Sequence, residues 1–73
     1  MPSKYPICTP LQVHKALINA GFWDVKQTGS HVKLTNGFRV VIVPMHHKDL
    51  KTGTLKGILE QAGMSVDDFK QYL

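Results

Sequence analysis

The stretch that decides the fold runs Gln27-Thr28-Gly29-Ser30-His31-Val32-Lys33-Leu34. It predicts a strand, a tight turn and a second strand. Gly29 supplies the positive φ that a short turn wants, and Ser30 favours turns through local backbone hydrogen bonds. From His31 onward polar and apolar residues alternate, with His31, Lys33 and Thr35 on one face and Val32 and Leu34 on the other. An imidazole whose charge changes near neutral pH therefore stands on the lysine-bearing side of a sheet. Two readings are open at this point: a catalytic group presented to a polyanion, or an ordinary surface histidine.

Downstream, Asn36-Gly37 is the dipeptide of a two-residue type I′ hairpin. It predicts that Thr35 pairs with Phe38, Leu34 with Arg39, Val32 with Val41 and His31 with Ile42, opposite residues sharing a face. Pro44 ends that third strand. Upstream, Phe22 to Thr28 reads as the first strand, with Trp23 and Val25 turned one way and Asp24, Lys26 and Thr28 the other. One face then holds Val25, Val32, Leu34, Val41 and Val43, with Arg39 snorkelling at its end. The opposite face holds Lys26, Thr28, His31, Lys33, Val40 and Ile42.

The flanks predict helices. Thr9-Pro10 is a helix start with Thr9 as N-cap, followed by an apolar stripe of Val13, Ala16, Leu17 and Ala20, and Gly21 is the stop. Thr52 or Thr54 is expected to cap a second helix with the stripe Leu55, Ile58, Leu59 and Ala62. Gly57 interrupts it, which suggests close packing there, and Gly63 ends it. Ser65 caps a last short helix with Asp67 and Asp68 in its first turn and Val66, Phe69 and Leu73 turned inward. The order is α-β-β-β-α with a short terminal helix. This predicts an α+β fold, a three-stranded antiparallel meander with helices on one face. Two amphipathic helices cover only one face, so the side with Lys26, His31, Lys33, Val40 and Ile42 is left open as a docking surface or as a mildly apolar exposed sheet face.

Seventy-three residues make one domain with one core, read here as an extended lead-in over 1–8 and a folded body over 9–73. No apolar run approaches the roughly 20 residues of a membrane span, and the N-terminus has no signal-peptide h-region. The single cysteine, Cys8, has no internal disulfide partner, which points to a reducing cytoplasm and to a structural thiol. The net charge of +4 is uneven. Lys4, Lys15, Lys26, Lys33, Arg39, Lys48, Lys51 and Lys56 face only Asp24 and Asp49 over residues 1–56, whereas Lys70 faces Glu60, Asp67 and Asp68 beyond them. A basic body is attracted to phosphate, although net charge alone reports non-specific affinity.

Taken together, Gly21-Phe22, Gln27-Thr28-Gly29-Ser30-His31, Val41-Ile42-Val43-Pro44-Met45-His46 and Gly53-Thr54-Leu55-Lys56-Gly57-Ile58-Leu59-Glu60-Gln61-Ala62-Gly63 resemble the HicA family of toxin ribonucleases, over about residues 9–66. The resemblance implies a double-stranded-RNA-binding-like fold, an mRNA-cleaving activity without a known metal requirement or cofactor, and neutralisation by a partner antitoxin, HicB. It places the family's catalytic histidine on His31, with the preceding glycine at Gly29. Many relatives carry a histidine or an aromatic directly after the catalytic one, where this chain has Val32. Val32 points to the core, so little functional effect is expected.

RNA carries its own nucleophile, the 2′-OH, beside the scissile phosphodiester. Cleavage without a metal needs a group to take that proton, donors for the phosphorane charge, and a proton for the leaving 5′-oxygen. A histidine serves at either end of the transfer. His31 is thus the candidate general base or acid, Lys26 and Lys33 the candidate phosphate clamps, and the Gly29 and Ser30 amides a candidate anion nest. His46, Lys48 and Lys51 are candidate RNA contacts, the last two near the second helix start, where amides favour phosphate. Adjacent His46 and His47 point apart on an extended chain and lack metal-ligand spacing, so no metal site is expected. His14 is expected to face solvent. Val40 and Ile42 are the candidate antitoxin contacts. The leading expectation is a toxin-type RNA endonuclease; the alternative is a non-catalytic RNA-binding module of the same fold.

Overall fold

The structure, a computed structural model, describes residues 5–46 and 48–73. The start of the expected lead-in, residues 1–4, and His47 lie outside the described residues. The elements follow as α1 (Pro10–Asn19), β1 (Trp23–Thr28), β2 (His31–Thr35), β3 (Val40–Pro44), α2 (Thr52–Ala62) and α3 (Val66–Gln71). The three strands form one antiparallel sheet in the order β1-β2-β3. This is the α+β, α-β-β-β-α layout that the periodicity predicts.

Helix α1 starts where Thr9-Pro10 says it should, with one addition. Thr9 Oγ1 accepts from Gln12 N at 3.3 Å while Gln12 Oε1 accepts from Thr9 N at 2.8 Å, a reciprocal capping box. Helix α3 is capped by Ser65, whose Oγ accepts from Asp68 N at 3.1 Å. Helix α2 differs from expectation. Its N-cap is Lys51, not Thr52 or Thr54, and among the described residues no side-chain hydrogen bond caps it. Gly57 has open space where a Cβ would sit, so it does not mark close packing. The tight approach is at Gly63, the left-handed C-cap (φ +70°), where a Cβ would lie 2.9 Å from Arg39 Cζ.

The core lies between the sheet and the helices. Val32, Leu34, Val41 and Val43 bury one face against Val13, Ala16 and Leu17 of α1, Leu55, Ile58, Leu59 and Ala62 of α2, and Val66 and Phe69 of α3. Leu73 stays outside it, exposed. Cys8, Phe22 and Leu50 join the same cluster, and Leu50 N donates to the Cys8 carbonyl at 2.9 Å, fastening the segment before α1 to the loop before α2.

The register corrects two expectations. Residues Asn36 to Arg39 form a four-residue loop, so the partners are His31↔Pro44, Val32↔Val43, Lys33↔Ile42, Leu34↔Val41 and Thr35↔Val40. A type I′ turn needs positive φ at both central residues, and here only Gly37 has it (φ +94°). Asn36 instead uses its side chain, Oδ1 accepting from Phe38 N at 2.9 Å and Arg39 N at 2.7 Å. The true two-residue hairpin is Gly29-Ser30, between Thr28 and His31. Because the β2–β3 register moved by two residues, every side chain kept its face.

Strand β1 is the second correction. The register slips between Asp24 and Lys26, a bulge that leaves Val25 as the extra residue. Trp23 therefore pairs with Thr35 and joins the open face, Asp24 falls opposite Leu34 on the helix side, and Val25 is exposed. No residue of β1 is buried, because α1 and α2 pack under β3 and the strand overhangs the helix layer.

Candidate functional site

Three cross-strand rows make up the open face. Thr28, His31 and Pro44 form the first, Lys26, Lys33 and Ile42 the second, and Trp23, Thr35 and Val40 the third. The alternation begun at His31 positions all of them. Val32 and Leu34 are pulled into the core, so His31 and Lys33 are turned out. His31 is fully on the surface side, next to the Gly29-Ser30 turn, where Gly29 has φ +58°.

The electrostatics of this face are one-sided. Lys26 and Lys33 stand opposite one another with no acid on any of the three rows. Among the described residues the single ion-pair geometry is His14 Nε2 to Asp24 Oδ1, 2.7 Å apart on the helix side, so neither lysine has a carboxylate partner. That contact also corrects the expectation for His14, which clips α1 to the overhanging β1. Like charges set directly across a strand pair repel, and that repulsion is relieved by an anion bound between them.

His46, Lys48 and Lys51 come together at a second place. With Asp49 and Thr54 they line an open concavity of about 580 Å³ beside the uncapped start of α2. The two places are joined by backbone. Met45 N donates to the Ser30 carbonyl, which carries the β2–β3 ladder one step further and ties the His46 loop to the turn before His31. The open face thus gathers Lys26, His31, Lys33, Val40 and Ile42 with the Gly29-Ser30 turn at its end, and the concavity gathers His46, Lys48 and Lys51.

Sequence reasoning missed two contributors. Trp23, assigned the side of Val25, is half exposed on the face of the lysines. Gln61 reaches from α2 to the outer rim of β3, its Oε1 accepting from Ile42 N at 2.9 Å. Neither leaves a mark in the local pattern, since one depends on a bulge and the other on a helix–strand approach.

Cys8 belongs to neither place. Burial pushes its thiol pKa up, and the nearby Asp49 carboxylate adds to the shift, so the sulfur holds its proton and is a poor nucleophile. Among the described residues no three His, Cys, Asp or Glu side chains converge as a metal site, and no helix is long and apolar enough to cross a membrane.

No curated protein matches the chain. Residues 12–64 do match the family model of the HicA toxin of bacterial toxin-antitoxin systems. That span runs from the first turn of α1, across the whole sheet, to the residue after the Gly63 cap, and on that breadth this chain belongs to the HicA toxin family, whose systems pair each toxin with an antitoxin.

Proposed function

We propose that this toxin is an endoribonuclease that cleaves mRNA by metal-independent acid–base chemistry, with His31 as its catalytic residue. The observation that carries the reading is the position of that imidazole on the uncovered side of the sheet, one row from two unpaired lysines. A phosphodiester drawn to Lys26 and Lys33 brings its neighbouring 2′-OH within range of His31. The 2′-oxygen attacks phosphorus, its proton passes to a base, the bond to the 5′-oxygen breaks, and that oxygen takes up a proton. His31 serves one end of this transfer and solvent the other. The products are a 2′,3′-cyclic phosphate and a free 5′-hydroxyl.

The Gly29 and Ser30 amides lie at the same end of the sheet and add donors for the phosphorane charge. His46, Lys48 and Lys51 extend the RNA contact around the corner, where the free amides of α2 favour phosphate. General acid–base assistance is worth roughly 10²–10⁴-fold, so a single imidazole makes a modest enzyme. Such a toxin acts in the cytoplasm, where its mRNA is. A HicB-type antitoxin silences it by covering His31, with Val40 and Ile42 as apolar contacts on the same face.

The deciding experiment compares the purified chain with His31→Ala on a single-stranded RNA in the presence of EDTA. Cleavage by the first and none by the second is expected. Equal cleavage by both would remove His31 from the chemistry, and no cleavage by either, with binding intact, would make this a non-catalytic RNA-binding module.

A further inference from the structure

The open face ends in an aromatic that the proposed chemistry does not use. Trp23 is 52% exposed and sits in the third row, beside Thr35 and Val40, with its ring close enough to the hairpin tip that a Cβ on Gly37 would lie 3.7 Å from it. At that same tip Phe38 is 95% exposed. Two exposed aromatics at one end of a sheet mark a surface that something docks on. Their neighbours say what. The row between Trp23 and His31 is Lys26, Lys33 and Ile42, and no acid stands on the face, so its charge complements a phosphate chain with bases attached.

We infer that Trp23 is a stacking platform for an unpaired base, and that the substrate is therefore single-stranded RNA around the cut. This inference rests on the reading of the face as an RNA site and names the substrate form that the site takes. Thr35, beside Trp23, is four residues along β2 from His31. At about 3.4 Å per residue that is roughly 14 Å, the length of about four nucleotides stacked at a 3.4 Å rise, and of fewer where the strand is stretched. A base on the Trp23 indole fixes one end of that run. The phosphates between pass over Lys26 and Lys33, and the scissile linkage comes to rest at His31. A base held in a duplex has no free face to offer, whereas an unpaired base stacks on an aromatic ring without regard to sequence. The lysines give attraction; Trp23 gives register.

Trp23 is the one tryptophan in the chain, so its emission reports the contact directly. The experiment uses the full-length His31→Ala protein, which leaves RNA uncut, and three fluorescein-labelled probes: a short single-stranded RNA, the same RNA in a duplex, and an abasic strand of equal length. Anisotropy reports binding and tryptophan emission reports stacking. Binding of the single strand with quenching of Trp23, binding of the abasic strand without quenching, weaker duplex binding without quenching, and a roughly tenfold weaker single-strand affinity in His31→Ala/Trp23→Ala are expected. A duplex that binds as tightly and quenches Trp23 as fully would overturn the single-strand inference. Trp23→Phe keeps most of the affinity and guards against a folding defect in the alanine variant. Single-strand binding with unchanged emission and no loss in either Trp23 variant would overturn the stacking role and leave the tryptophan as a protein contact, with the RNA site standing. No anisotropy change with any probe would remove the RNA reading of the face, and the stacking role with it.

Discussion

Lys26 and Lys33 face each other across the β1–β2 pair, on the uncovered side of the sheet, and no carboxylate shares that side. The pairing is set by the two-residue Gly29-Ser30 turn, from which the register runs unbroken through Thr28↔His31 and Gln27↔Val32 to Lys26↔Lys33, and the bulge at Val25 comes only beyond it. A mutual repulsion held between two strands is a reason for a third, negative body to settle there.

Lys26→Ala and Lys33→Ala are each expected to weaken RNA binding uniformly across sequences. Each should lower the slope of log affinity against log salt by about one, because each removes one phosphate contact. The check is a salt titration of binding in the His31→Ala background. Removing one lysine also relieves the repulsion, so Tm should stay level or rise slightly.

His31→Ala is expected to abolish cleavage while shifting stability by no more than about 0.5 kcal/mol, since the side chain lies on the surface and takes no part in the core. Thermal melts followed by circular dichroism, beside the cleavage assay, separate loss of chemistry from loss of fold. A 2′-deoxy nucleotide at the cut should block the wild-type protein equally.

The glycines of α2 should respond in opposite directions. Gly57→Ala fills empty space on a helix and is expected to stabilise the fold by about 0.5–1 kcal/mol. Gly63→Ala meets both a positive φ and the Arg39 guanidinium and should destabilise it by about 1 kcal/mol or more. Urea denaturation of the two variants gives the sign of each.

Cys8 should be inert to thiol reagents in the folded protein and react on unfolding. The folded thiol keeps its proton to higher pH than the unfolded one, whose pKa is near 8.5. Stability is therefore unaffected below about pH 8.5 and falls as pH rises past it, because the unfolded chain then releases the proton first. Cys8→Ala should flatten that alkaline decline in a series of urea melts.

How much of this was legible follows from what kind of signal each feature leaves. Alternation at His31-Val32-Lys33-Leu34 reports which side of the sheet is buried, so the open placement of His31 and Lys33 was readable. The choice between a two-residue and a four-residue loop at Asn36-Gly37 was not, since it turns on whether Asn36 adopts positive φ or bonds with its side chain. That mistake was harmless because the shift was even. The bulge in β1 was odd by one residue, and it alone carried Trp23 and Asp24 to the sides opposite those expected. Alternation also cannot say how far a helix layer reaches, and so it placed Val25 in a core that ends short of β1.

The contact between Gln61 and Ile42 has a consequence for life at high concentration. A three-stranded sheet has two free rims, and each is a template on which another copy can lengthen the ribbon. Here one amide of the β3 rim, that of Ile42, is already occupied by a glutamine from the same molecule, Pro44 brings none, and the other rim is broken by its extra residue at Val25. Neither border offers an unbroken row of donors and acceptors, and the small protein is thereby guarded against stacking into fibrils of itself.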